Sequence, residues 1–216
     1  RLFIRGGGDD AFVIKSDFSV GRFVNSERIT VRDSDISTVG ATALEIGSET
    51  AGNFSSIVFE NIAVHSAGDA GIGIVAMDGG HVSDVLYKNI TMDNLTSPLQ
   101  FYIGARRLCR CPGGTPYPGQ RSFVGRITDI VVDGVTATNI LGTGHAPDMR
   151  NWSVTLDGQP PDSAGHVSTL QSRPVGPNIT LRDLDLTFKG GGTHSDGVSP
   201  PHLTDGWMNI GPRPAW

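Results

Sequence analysis

The chain has 216 residues, of which 22 are acidic and 17 basic, so its formal net charge is −5. This balance disfavours a protein that follows nucleic-acid phosphates, because such a protein needs a clustered basic face. With 38% hydrophobic residues the chain can bury a sizeable core. No apolar run approaches the roughly 18 residues that a membrane span requires. We therefore expect one folded domain with neither nucleic-acid nor membrane partners.

A repeated segment is the main pattern along the chain. It alternates apolar and polar residues, is rich in β-branched side chains and ends at glycine, asparagine, aspartate or serine, which is typical of short strands joined by tight turns. The first three copies start 28 residues apart, and two degenerate copies follow after 45 and 49 residues: Ile29–Ile36, Ile57–Val64, Val85–Met92, Ile130–Ala137 and Ile179–Leu186. A shorter strand keeps a similar spacing: Ala11–Ile14, Ala43–Ile46, Gly71–Ile74 and Leu99–Ile103.

The repeat predicts an all-β fold, a parallel β-helix with about 28 residues per coil. A unit of this size cannot bury its own apolar face, whereas stacked units bury a continuous core. In such a stack we expect two inner apolar ladders and one polar row at a turn: Ile29, Ile57 and Val85; Val31, Phe59 and Tyr87; and Asp33, Asn61 and Asn89.

The domain prediction is a single parallel β-helix over residues 1–216, truncated at both ends. The chain opens on Arg1-Leu2-Phe3-Ile4, which has the pattern of a strand already under way, so we expect a piece of a longer protein. Two stretches break the repeat and are predicted loop insertions, at 104–122 and 142–177. Residues 189–216 have turn composition and are predicted to form an irregular C-terminal segment.

Three aspartates are candidate catalytic residues. Asp9 and Asp10 are adjacent and lie next to Gly8, just before a predicted strand. Paired carboxyl groups are what glycoside hydrolysis needs, one to protonate the leaving group and one to activate water. The repeat aligns Asp9 with Ala41 and then with Asp69, so the Asp9 and Asp69 backbones should lie about 10 Å apart on one face. Side chains leaning together could then reach the roughly 6.5–9.5 Å separation of an inverting pair.

These motifs carry a resemblance to a known family. Gly8-Asp9-Asp10-Ala11-Phe12-Val13-Ile14-Lys15-Ser16, followed one coil later by Ala43-Leu44-Glu45-Ile46-Gly47-Ser48-Glu49, resembles glycoside hydrolase family 28, the polygalacturonase group. The resemblance runs through most of the chain, up to the closing Gly211-Pro212-Arg213-Pro214. It implies a right-handed parallel β-helix that cuts pectic chains with inversion of configuration.

The resemblance also implies roles for individual residues. Asp9 would be the general acid and Asp10 the base that positions the attacking water, while the third aspartate of the family would lie upstream of this sequence. Thr42 stands where the family has its active-site histidine. Gly73-Ile74-Val75 replaces an Arg-Ile-Lys that grips a uronate carboxylate, so the sugar could instead be neutral or rhamnose-containing, or catalysis could be impaired.

Substrate-binding candidates follow from strand alternation. If Leu44 and Ile46 point inward, Glu45 points outward onto the same sheet as Asp9, and Lys15 shares that orientation. Tyr102 faces outward by the same reasoning and could stack on a sugar ring. Arg106, at the start of the first predicted loop, could reach a carboxylate. Together with Thr42, these four residues are the predicted binding residues.

The function predicted from the sequence is a glycoside hydrolase that cleaves pectic polysaccharide, of galacturonan or rhamnogalacturonan type, by an inverting acid/base mechanism. Two alternatives remain, a non-catalytic carbohydrate-binding β-helix and, less favoured, a polysaccharide lyase. We expect no metal and no cofactor, because no His, Asp and Glu residues have metal-ligand spacing and Gly6-Gly7-Gly8 lacks the residues of a phosphate loop. The expected partner is a polysaccharide or oligosaccharide, the expected state a monomer, and the expected location secreted or periplasmic.

Overall fold

The computed structural model describes residues 1–17, 21–103, 125–140 and 179–188. These residues form eight strands and no helix: β1 (Phe3–Gly7), β2 (Phe12–Ser16), β3 (Ser26–Thr38), β4 (Leu44–Thr50), β5 (Phe54–Ala76), β6 (His81–Ile103), β7 (Arg126–Ile140) and β8 (Ile179–Phe188). Accordingly, nothing in these ranges provides a helix that is long and apolar enough to cross a membrane. The predicted insertions 104–122 and 142–177 and the predicted segment 189–216 lie outside the described residues.

All the strands pair in parallel within a single sheet. The sheet order is β1-β3-β5-β6-β7-β8, and β4 pairs with both β2 and β5. The pairing follows the sequence repeat, since Ile29 lies beside Ile57 and Ile57 beside Val85. The all-β, parallel part of the fold prediction is therefore confirmed.

The apolar positions of the repeat form continuous ladders in the core. Phe59 lies between Val31 and Tyr87 in the register, and all three are buried. The Phe59 and Tyr87 rings stack with centroids 4.8 Å apart and planes within 3° of parallel, while Phe12 meets Phe59 edge-on at 5.9 Å. Both predicted inner ladders are thus confirmed, and each continues into β7 and β8 through the register of those strands.

Single residues in the left-handed conformation recur at equivalent positions of successive strands. The predicted polar row is one such set, because Asp33, Asn61 and Asn89 have φ of 51°, 55° and 52°. The Asn61 amide donates to Asp33 Oδ1 at 3.2 Å, and the Asn89 amide donates to Asn61 Oδ1 at 2.8 Å. Asparagine and aspartate tolerate this conformation better than other side chains do, which explains their choice here. In β7 the equivalent position is Gly134, with φ of 73°.

Close backbone contact between neighbouring repeats also requires glycine at several positions, of which Gly80 is an example. A Cβ added to Gly80 would overlap the carbonyl oxygens of Gly52 and Thr50. The Gly80 N–H donates to the Thr50 carbonyl at 2.7 Å, so the two backbones are tied together at this point. Part of the glycine excess of the sequence is therefore explained by packing between repeats.

The second, shorter strand of the repeat is found at every predicted copy, but its boundaries change along the chain. It is separate in the first two repeats, as β2 and β4, whereas Gly71–Ile74 belongs to β5 and Leu99–Ile103 to β6. Pairing continues almost without a break between β5 and β6, through Ala67 beside Leu95 and Ala70 beside Ser97. Sequence alternation predicts strands but does not reveal where pairing runs through a turn.

Candidate functional site

The candidate site lies where β2 pairs with β4. Five residues form a group that we call the carboxylate–lysine cluster: Asp10, Lys15, Thr42, Glu45 and Glu49. Asp10 and Thr42 each lie two residues before one of the two strands, Lys15 lies in β2, and both glutamates lie in β4. Backbone hydrogen bonds from Ala11 to Thr42 and from Phe12 to Ala43, each 3.0 Å long, fix the two strand beginnings side by side.

Asp9 and Asp10 are adjacent in sequence but occupy different surroundings. Asp9 is exposed, and its Oδ1 accepts the Asp10 backbone N–H at 2.9 Å. The side chain of Asp10 is only 11% exposed, and its Oδ1 accepts the Thr42 N–H at 3.2 Å. The Thr38 hydroxyl donates to the Asp9 carbonyl, which anchors the turn to β3. One carboxyl group of the pair is thus open to solvent, while the other is held within the fold.

Lys15 is the cation of the cluster. Its Nζ lies 3.0 Å from Glu49 Oε2 and 3.7 Å from Asp10 Oδ2. Partial burial lowers the pKa of Lys15, but the hydrogen bond to Glu49 and the charges of Glu49, Asp10 and Glu45 outweigh it and raise the pKa above its ordinary value. The ammonium that the sequence offered for substrate binding is therefore already engaged by carboxylates of the chain.

Glu49 is a member of the cluster that the sequence prediction missed. The shorter strands are offset by 32 residues at Ile14, which pairs with Ile46, but Ser16 pairs with Thr50 because β4 contains an irregularity between these positions. A constant offset therefore places Lys15 beside Gly47 rather than Glu49. Gly47 adopts a φ of 126°, and a Cβ there would overlap the Val75 carbonyl. The one signal available in the sequence is the Gly47-Ser48 pair inside a strand, since glycine within a strand often marks a bulge.

Glu45 is the most perturbed acid of the cluster. It lies beside Val13 on one side and Gly73 on the other, and only 7% of it is exposed. Burial, the charge of Asp10 and a hydrogen bond with Asp10 raise the pKa of Glu45 to about 8. The hydrogen bond from Thr42 and the charge of Lys15 act in the opposite direction but are outweighed. The sequence predicted that Glu45 points outward onto the same sheet as Asp9, and in the structure its side chain is buried.

Gly73 makes room for this buried acid. A Cβ on Gly73 would lie 2.9 Å from Thr42 Cγ2 and 3.6 Å from Glu45 Cγ. A side chain at this position would therefore press on both cluster residues. Gly73 is therefore part of the packing around Glu45.

The remaining predicted site residues lie outside these contacts or outside the description. Asp69 is half-buried, and its backbone N–H donates to the Ala41 carbonyl at 3.1 Å, so the two residues lie close to each other in neighbouring repeats. The backbone of Tyr102 pairs with Val75, but the Tyr102 side chain lies outside the described residues. Arg106 also lies outside them. The structure thus brings together Asp10, Lys15, Thr42 and Glu45 of the predicted set.

A second polar group lies on the outer face of β3 and β5. His65 Nε2 is 2.9 Å from Asp35 Oδ2, and the Arg5 guanidinium is 3.3 Å from Asp35 Oδ1. The hydrogen bond with His65, together with the charges of His65 and Arg5, holds the pKa of Asp35 below its ordinary value despite some desolvation. Across the described ranges, no group of three or more His, Cys, Asp or Glu side chains could hold a metal ion.

Comparisons with protein-family models, with curated proteins and with solved structures find no match for this chain.

Proposed function

We propose that the described strands belong to a right-handed parallel β-helix in which each repeat is one coil. The parallel register at a spacing of 28 residues supports this proposal, as do the left-handed residues that recur once per repeat at the Asn61 position. Inner ladders such as Val31, Phe59 and Tyr87 are what a solenoid requires to bury its core.

On this scaffold, the proposed activity is hydrolysis of glycosidic bonds in pectic polysaccharide with inversion. The observation that carries the proposal is the unequal environment of the adjacent Asp9 and Asp10. Asp9 is exposed, whereas the largely buried Asp10 accepts the Thr42 N–H and lies 3.7 Å from the Lys15 ammonium. Acid and base roles separate when the environments of two carboxyl groups differ in this way.

The proposed reaction uses one proton donor and one base. Asp9 donates its proton to the glycosidic oxygen as the bond to the anomeric carbon breaks. Asp10 accepts a proton from the water that attacks this carbon from the opposite face, and the two proton transfers balance. Asp69 is the alternative base, since the sequence repeat aligns it two repeats from Asp9, at a backbone separation of about 10 Å. A polymeric plant-wall substrate would place the protein in a secreted or periplasmic location.

The test follows anomeric proton signals by NMR during incubation with polygalacturonan and with rhamnogalacturonan. The unsubstituted protein should release reducing ends of inverted configuration. Asp9→Asn and Asp10→Asn should each slow this release by a factor of about 100 to 10,000, which is the usual contribution of general acid–base catalysis. Glu60→Gln, at a half-buried position of β5 away from the cluster, is the matched control. Unchanged signals with both polymers would remove pectin hydrolysis as the function.

A second candidate function is carbohydrate binding without hydrolysis. The low exposure of Asp10 and Glu45 and the ion pair between Lys15 and Glu49 favour it, because groups held within the fold are less accessible to the reacting bond of a substrate. In that case titration calorimetry should detect oligosaccharide binding that Asp10→Asn leaves intact, while no reducing ends appear.

A further inference from the structure

The segment that carries the two adjacent aspartates lies against the segment that leaves β3. We call residues 7–11 the aspartate turn, and residues 38–42 lead from the last residue of β3 towards β4. At one end the Val39 N–H donates to the Gly7 carbonyl at 2.9 Å, and at the other end the last residues of the two segments are joined by a backbone hydrogen bond of 3.0 Å. The two segments are therefore tied at both ends, with the aspartates between the ties.

Thr38 holds the middle of the aspartate turn. It is fully buried, and its hydroxyl donates to the Gly7 carbonyl at 2.8 Å and to the Asp9 carbonyl. A hydroxyl has one hydrogen, so the two carbonyls on either side of Gly8 share a single donor. The backbones approach closely at this point, since a Cβ added to Gly40 would overlap the Gly8 carbonyl oxygen. The position of the Asp9 backbone is therefore set by the end of β3.

Hydrogen bonds from a hydroxyl to a carbonyl recur between neighbouring repeats, but Thr38 differs from the others. The Ser66 hydroxyl donates to the Thr38 carbonyl at 3.1 Å, and the Thr96 hydroxyl donates to the Gly68 carbonyl at 2.8 Å. Ser66 and Thr96 are half-buried, and within the described residues each donates to one carbonyl. The additional contact of Thr38 is made to Asp9, and the stacking of repeats at the other two positions does without such a contact.

The carboxyl group of Asp9 follows the backbone that Thr38 holds. Asp9 Oδ1 accepts the Asp10 N–H at 2.9 Å, which ties this carboxyl group to the backbone of its own turn. Asp9 is exposed, so packing of neighbouring side chains contributes little to its orientation. The hydroxyl of Thr38 and the Asp10 N–H thus form one connected path from the buried end of β3 to the Asp9 carboxyl group.

We infer that Thr38 is a positioning residue for Asp9, because its buried hydroxyl fixes the backbone that presents the Asp9 carboxyl group. The effect on catalysis rests on the proposed function, whereas the hold of Thr38 on the aspartate turn does not. A reacting group displaced by about 1 Å can lose about 100-fold in rate. Thr38 is buried below the turn and acts through Asp9, so its loss should lower kcat and leave KM nearly unchanged.

Three substitutions test the effect on the reaction. Thr38→Val removes the hydroxyl but keeps the branched shape of the side chain, and it should lower kcat for the release of reducing ends by about 10- to 100-fold. Thr38→Ser keeps the hydroxyl and should recover most of this loss. Thr128→Val is the matched control, because Thr128 is 3% exposed in β7 and its hydroxyl lies 2.8 Å from His81 Nε2, away from the aspartate turn. An unchanged kcat in Thr38→Val, an equal loss in the control, or no recovery in Thr38→Ser would overturn the inference.

Hydrogen exchange of the Asp10 amide tests the hold on the turn without any substrate. In the unsubstituted protein this amide should exchange more slowly than a free amide, because the aspartate turn is held in place. Thr38→Val should accelerate the exchange by about 2- to 10-fold, which corresponds to the loss of one neutral hydrogen bond. Thr128→Val should leave it unchanged. Exchange at the free rate in the unsubstituted protein would overturn the inference, and this measurement does not depend on how a variant folds.

Failure of this inference can be told apart from failure of the proposed function. Faster Asp10 exchange in Thr38→Val, with no reducing ends from the unsubstituted protein, supports the hold of Thr38 on the aspartate turn and removes hydrolysis. Release of reducing ends with the same kcat in Thr38→Val supports hydrolysis and removes the positioning role.

Discussion

Replacing Tyr87 with phenylalanine should stabilise the protein. Tyr87 is fully buried, and its ring stacks on Phe59, the residue at the same register position in the preceding repeat. Within the described part of the chain its hydroxyl has no hydrogen-bond partner. Burial and the charge of Glu45 also raise the pKa of Tyr87 above its ordinary value, so the group remains a neutral hydroxyl. Folding therefore removes the Tyr87 hydroxyl from water without giving it a new hydrogen bond, which lowers the stability of the folded state.

The magnitude follows from what the substitution keeps and removes. Tyr87→Phe keeps the 4.8 Å stack with Phe59 and removes only the hydroxyl. An unsatisfied buried polar group costs roughly 1–3 kcal/mol, and the small void left behind offsets part of the gain. The free energy of unfolding should therefore rise by about 1 kcal/mol. Phe59 shows that this register position accepts phenylalanine, since it is itself fully buried.

Urea denaturation measures this change as a higher midpoint at an unchanged slope. Tyr87→Leu is the comparison variant, because it removes the hydroxyl and the aromatic stack together and should lower the free energy of unfolding by about 1–3 kcal/mol. A loss of more than about 0.5 kcal/mol in Tyr87→Phe would show that the hydroxyl makes a favourable bond in the folded protein, and the reasoning from burial would be refuted.

Three further substitutions test the backbone and the cluster. Asn61→Ala should lower the free energy of unfolding by about 2 kcal/mol, because alanine disfavours the left-handed φ of this position and two side-chain hydrogen bonds are lost. Asn61→Gly loses the same hydrogen bonds but tolerates the φ, so its loss should be about 1 kcal/mol smaller. Equal losses of stability for the two variants in thermal unfolding would contradict this prediction. Gly80→Ala should lower the free energy of unfolding by more than about 2 kcal/mol, because the added Cβ overlaps two backbone carbonyl oxygens. Gly8→Ala, whose Cβ meets nothing within 4 Å, should change the free energy of unfolding by less than about 0.5 kcal/mol. Lys15→Met should lower the free energy of unfolding by about 1 kcal/mol, because the ammonium is 41% exposed and solvent screens its ion pair with Glu49. Failure of added Glu49→Gln to recover part of this loss would refute the ion-pair argument.

The parts of the fold that the sequence predicts are those in which one physical rule acts alone. Alternating apolar residues at a constant spacing predict the ladder through Phe59, because only a parallel register keeps every apolar side chain in the core. The polar row at Asn61 is predictable for a related reason. Few side chains accept its left-handed backbone, and asparagine is one of them.

The parts that were missed depend on deviations from the repeat. Glu49 reaches Lys15 because β4 contains an irregularity that a constant offset cannot show. The burial of Glu45 depends on a residue of another repeat, Gly73, whose missing side chain makes room for Thr42 and Glu45. Alternation indicates the face on which a residue lies, but the exposure of that face is set by neighbours that are distant in sequence.

The position of Glu45 also separates this cluster from the other polar features of the molecule. The inner ladders already fix the register of β4, since Leu44 and Ile46 pair with Ile72 and Ile74 and all four are fully buried. Glu45 therefore adds nothing to the register, while its burial beside Asp10 opposes ionisation and costs stability at neutral pH. In the polar row, in contrast, the asparagines suit their left-handed backbone conformation and form hydrogen bonds with one another. A buried acid that the fold does not need is the kind of local conflict that proteins retain at functional sites, which favours the cluster as the centre of the proposed activity.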